Sequence, residues 1–137
     1  MRRYIWVAIG VVVCGLAPLT GSARAVDLNG AWATAAEECG NVFVRNGKTK
    51  QIMFAPGSEV RGGGFIIDQD RLRGRTATCA VKARKDEGDT VNIVASCATD
   101  IMLSRVQFEL KLLEPNKVRR FFPGMDEMQI EYYRCSL

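Results

Sequence analysis

The chain has 137 residues, 47% of them hydrophobic and 25% charged, and a formal net charge of +4. That is length for one domain, and the apolar content excludes a wholly disordered chain. Histidine is absent, which removes the commonest general base and the commonest metal ligand.

Residues 1–25 read as an export leader. Arg2 and Arg3 begin it, an apolar run covers 4–16, and Pro18 and Gly21 break the run. Ala23-Arg24-Ala25 then has the small-x-small form of a cleavage site. The apolar run is shorter than the about 20 residues that span a bilayer. The valines before Cys14 do not suit lipid attachment. Cleavage after Ala25 removes three arginines and no acid, so Lys+Arg falls from 19 to 16 against 15 acids. The remaining domain, 26–137, is then near neutral, which argues against a nucleic-acid partner. The expected location is the periplasm or beyond, without stable membrane insertion.

Beyond the leader the hydrophobic pattern has period two almost throughout. It predicts strands over 30–34, 42–46, 51–54, 64–68, 71–84, 90–98, 105–113, 117–122 and 128–135. Turn chemistry separates them at Asn46-Gly47, Pro56-Gly57-Ser58, Asp68-Gln69-Asp70, Glu114-Pro115-Asn116 and Pro123-Gly124. Arg61-Gly62-Gly63-Gly64 precedes a strand rather than a helix, so it reads as a flexible lead-in or bend and not a phosphate loop. Helical signal is confined to single turns, one begun by Thr34 and ended by Gly40, the other between Asp100 and Ser104. The expected fold is all-β: a small antiparallel up-and-down barrel of about eight strands, with a two-sheet sandwich as second choice.

Cys39, Cys79, Cys97 and Cys135 remain after the leader, an even number suited to an oxidising compartment. Ala77, Cys79, Val81 and Ala83 share one face of a strand, with Thr76, Thr78, Lys82 and Arg84 on the other. Val91, Ile93, Ala95 and Cys97 share a face of the next. Folding these strands about a turn over 85–89 sets Cys79 opposite Cys97 and leaves Cys39 for Cys135. No C-x-x-C spacing suggests zinc or redox chemistry. No metal or cofactor is expected.

Gly30-Ala31-Trp32 on the first strand resembles the Gly-x-Trp opening of lipocalins and related calycin barrels, and of small bacterial protease-inhibitor barrels. The resemblance implies that Trp32 plugs the closed end of a barrel. The Trp32 strand, the cysteine strands, Phe122-Pro123-Gly124-Met125 and Tyr132-Tyr133-Arg134-Cys135 together resemble short exported bacterial proteins of unassigned function. That second resemblance implies export and compact β structure only.

Three features are candidates for function. Arg71, Arg73 and Arg75 recur at spacing two and would share a strand face as an anion site, or merely be solvated. Arg119, Phe121, Met125 and Asp126 surround a loop with the composition of an interface core. Glu37-Glu38 and Asp126-Glu127 are candidate acid pairs for carboxylate-based hydrolysis, the outlying possibility. The expectation is a non-enzymatic binding protein that engages a protein partner through loops, enzyme inhibition being one form of such engagement. The alternative is a lipocalin-like carrier of a small apolar ligand, with a cavity lined by residues such as Ile93, Phe108 and Leu110.

Overall fold

The computed structural model describes residues 24–137; most of the expected leader lies outside them. Among the described residues ten strands form: β1 Gly30–Ala33, β2 Phe43–Arg45, β3 Ile52–Phe54, β4 Gly64–Asp68, β5 Arg71–Arg73, β6 Thr78–Glu87, β7 Thr90–Ala98, β8 Leu103–Glu114, β9 Lys117–Phe121 and β10 Gln129–Arg134. Eight of them close an antiparallel barrel in the order β1-β10-β9-β8-β7-β6-β5-β4. From β4 to β10 the chain is a plain meander. β1 closes it, pairing Trp32 with Phe65 on one side and with Arg134 on the other. A barrel, not a sandwich, is therefore the solution to the edge problem.

The alternation seen in the sequence becomes the wall of this barrel. Leu28, Trp32, Phe65, Ile67, Leu72, Val91, Ile93, Phe108, Leu110, Val118 and Tyr132 form one buried interior cluster with Cys79 and Cys97. Lys85, Asn92, Gln107, Glu109 and Lys111 belong to the opposite face of the same strands. An apolar inside and a charged outside are the reverse of the pattern of an outer-membrane barrel. Among the described residues no helix is long and apolar enough to cross a membrane.

β2 and β3 stand apart as a hairpin packed on the outside of the wall. Val42 and Phe43 join Ala31, Ala33, Ile66 and Cys135 in a second buried cluster, with Ile52 and Phe54 against it. Gly64 permits this approach. A Cβ there would lie 2.7 Å from the Trp32 carbonyl oxygen and 2.8 Å from Phe43 Cζ, closer than side-chain atoms tolerate. The glycine run is thus a packing feature of the wall. The turn before the hairpin is a 3-10 turn Ala36–Glu38 followed by a helical turn Cys39–Val42, so Gly40 lies within the helical turn and does not end it.

Both disulfides form as the strand pattern suggested. Cys79 and Cys97 face each other across β6 and β7, and Cys39 is joined to Cys135 over a sequence separation of 96. Disulfides of this kind belong to proteins that fold in oxidising surroundings.

The structure corrects several local expectations. Residues 71–84 are two strands, because the chain reverses at Gly74, whose N–H donates to the Ala77 carbonyl. No helical turn forms between Asp100 and Ser104; β8 begins at Leu103 instead. The β6–β7 loop is only Gly88-Asp89, with Gly88 at φ +64°, where a side chain would be strained. A bulge between Val81 and Ala83 also reverses the faces of β6. Beyond it, Arg84 and Asp86 sit opposite the buried Ile93 and Val91, on the inner side and not the outer.

Candidate functional site

The two ends of the barrel differ, and the meander explains why. At one end the connections are tight: Gln69-Asp70, Gly88-Asp89 and Pro115-Asn116 each join paired strands. Residues 26–29 cross this end. Leu28 is buried in the interior cluster. The Val26 N–H donates to Asp86 Oδ2, and Arg84 donates to the Val26 carbonyl. The Arg84–Asp86 ion pair, 2.7 Å, clasps the segment. The Arg84 hydrogen bond holds the Asp86 carboxyl below the usual carboxylate range; burial opposes this, while the Val26 N–H and the Arg84 charge add to it.

Trp32 is fully buried above this segment and its Nε1–H donates to the Leu28 carbonyl at 2.9 Å. Arg134 lies 4.3 Å from the Trp32 ring centre and donates to the Asn29 and Asp27 carbonyls. This end is shut by side chains and satisfied hydrogen bonds.

The other end is open. There the longer loops emerge, and below them the inner faces of seven strands surround a cup of about 250 Å³. Phe65, Leu72, Val106, Phe108 and Tyr132 wall it, with the Cys79–Cys97 disulfide among them. Thr99 and Ser104 stand at its lip and Arg120 projects into it. Ile93 and Leu110, expected to line a cavity, are instead buried in the interior cluster and are not part of the lining of the cup. The volume is at the small end of the about 300–1,000 Å³ typical of ligand pockets.

Arg120 is the residue that sequence reading missed. It lies opposite the buried Leu110 and beside Ile130, so it faces inward, whereas its neighbour Arg119 faces outward. Its guanidinium carbon is 4.4 Å from the ring centres of both Phe108 and Phe122. Its Nε is buried and has no hydrogen-bond partner among the described residues. Leaving a buried donor unsatisfied costs about 1–3 kcal/mol, which the two aromatic contacts offset in part. The signal was present in the parity of the strand: Val118 and Arg120 share one face, Lys117, Arg119 and Phe121 the other.

The residues singled out from the sequence are distributed as follows. Arg119 pairs with Glu131 at 2.6 Å, and Lys117 with the same carboxylate at 2.7 Å. Lys117 and Arg119 together hold the Glu131 carboxyl below its ordinary range. Phe121, Met125 and Asp126 do come together, with Phe122 and Gln129, around a shallow pocket of about 210 Å³ on the outer side of the open rim. Arg119 is not part of it.

Two of the three spaced arginines serve the outer hairpin. Arg73 donates to the Ile52 carbonyl, and Arg75 to Ser58 Oγ and the Gly62 carbonyl while lying over the Phe54 ring. Arg71 is exposed opposite Asp68. The three are not gathered on one anion. Arg73 also borders a polar cleft of about 260 Å³ between hairpin and wall, in which Arg45 is likewise bound to carbonyl oxygens. Glu37 and Glu38 lie in the 3-10 turn and Asp126 at the rim. Among the described residues no group of acidic, cysteine or histidine side chains is placed to hold a metal ion.

No protein-family model, curated protein or solved structure matches the chain.

Proposed function

We propose that this is a binding protein of calycin-like build whose working end is the open mouth of the barrel, and that the cup holds a compact apolar ligand. The observation that carries the reading is the asymmetry of the interior. One end is closed by residues 26–29, with Leu28 and Trp32 buried beneath them; the other keeps an aromatic-walled space reached from solvent. An apolar cavity with a few polar groups is the usual form of a small-molecule site. No acid lines the cup among the described residues, so paired-carboxylate chemistry finds no support there.

A second reading, a protein partner held by the loops, is favoured by a different observation. Ile101 and Leu103 are 92% and 83% exposed, with Met102 between them, and Met125 and Met128 are exposed on the β9–β10 loop. Both loops belong to the open rim. Exposed apolar side chains gathered at one end mark an interaction surface.

One pair of variants tests the first reading. Ser104→Trp places a large ring at the lip of the cup, while Phe121→Ser with Met125→Ser strips the outer rim pocket. Under the first reading Ser104→Trp abolishes calorimetric binding of small apolar compounds and the double variant retains it. Loss of binding in the double variant alone would overturn the cup reading and place the small-molecule site in the outer rim pocket.

The expected leader completes the proposal: residues 1–25 direct export and are removed after Ala25. An intact-mass measurement on the exported protein should find a chain beginning at Val26 with two disulfides. A product that retains Cys14 would refute this.

A further inference from the structure

Among the described residues, every charged side chain on the inner face of the barrel is matched by protein atoms except one. Arg84 and Asp86 neutralise each other at the shut end, and Arg134 is bound to two carbonyls there. Arg120 has neither. None of the ion pairs among the described residues includes it, its Nε lacks an acceptor, and the cup it projects into contains no carboxylate. Arg120 is half-buried, and packing it against Phe108 and Phe122 strips water from its Nε, a cost that a methionine or leucine at the same position would not carry. An anion entering the cup would supply the missing acceptor.

We infer that the ligand of the cup is an anionic amphiphile, a compact apolar body carrying a single carboxylate that Arg120 receives. This rests on the reading of the cup as a ligand site and names its chemistry. Phe65, Leu72, Val106 and Phe108 provide the apolar wall, and Tyr132, Thr99 and Ser104, which carry hydroxyls, belong to the same lining. A guanidinium offers its donors as a planar fork that matches two carboxylate oxygens, and such charge-assisted bonds are the strong ones. The aromatic rings on either side restrict the guanidinium before the ligand arrives, which lowers the ordering cost of binding. The small volume selects short or single-ring acids over long-chain lipids.

The test compares octanoate, 1-octanol and octylamine by calorimetry on the disulfide-bonded protein, which needs no variant. Octanoate should bind at least about tenfold more tightly than octanol, as for a gained charge-assisted hydrogen bond, and octylamine most weakly. In Arg120→Met the acid should lose that advantage while octanol binding persists; Arg120→Lys should keep part of it, since the charge remains and the fork does not. If acid and alcohol bind equally to the wild type, the charge assignment is overturned and the cup reading stands. If neither binds, both fall. Should Arg120→Met fail to fold, the comparison on the unaltered protein still decides.

Discussion

Asp86 shows how much one carboxylate can organise. It accepts from Arg84 and from the Val26 N–H, and so ties the start of the domain to the far end of β6. Because its folded-state pKa is depressed, the stability it contributes is present above the ordinary carboxylate value and is lost as pH falls through the depressed one. Asp86→Asn should therefore be destabilising at neutral pH by about 1 kcal/mol, or about 4 °C in Tm for a domain of this size. The gap between variant and wild type should close under strong acid, where both side chains are neutral. Thermal melts from pH 7 to 2 check this, and a gap that is constant across that range would show that Asp86 acts by packing alone. Arg119 and Arg120 make the complementary point: adjacent residues of one type differ in role because successive strand side chains point to opposite faces.

The cysteine bridges act at the scale of elements. Cys79–Cys97 links two strands already adjacent in the meander, at a separation of 18. Cys39–Cys135 fastens the helical turn before the outer hairpin to the end of β10. In the chain-entropy model a loop of about 100 residues is worth about 4–5 kcal/mol and one of about 15 near 3 kcal/mol. Cys39→Ala with Cys135→Ala should lower the Tm by more than 10 °C, and limited proteolysis should cut first within 34–63. Unchanged melting together with an unchanged digestion pattern would mean that Phe43 and its neighbours hold the hairpin without the bridge. The hairpin itself was legible as two short strands about Asn46-Gly47. Its place outside the wall was not, because an apolar β2–β3 pair looks the same whether it closes a barrel or lies on one.

For the whole molecule, the meander sorts its connections by end. Tight loops and residues 26–29 close one mouth; the loops after β5, β7 and β9 surround the other. That division is what makes a site. It follows from closure by β1, which only the three-dimensional arrangement reveals, and which brings Phe65, Phe108 and Arg120 into one lining. The proposed ligand and the rim surface both depend on it, so a variant that opens the shut end, such as Leu28→Asp, is expected to impair both.

Much of the architecture was present in local pattern. Alternation over 90–98 and 105–113 marks half-buried strands because a pleated chain with one apolar face has no other way to hide it, and the same alternation set Cys79 against Cys97. What alternation determines is which side chains travel together. It does not say how pairing with neighbours will shift them, and a single extra residue near Lys82 was enough to turn Arg84 and Asp86 inward. Tertiary structure alone decided the closed end, the outer hairpin and the unmatched guanidinium in the cup, since each depends on which strands meet far apart in the chain.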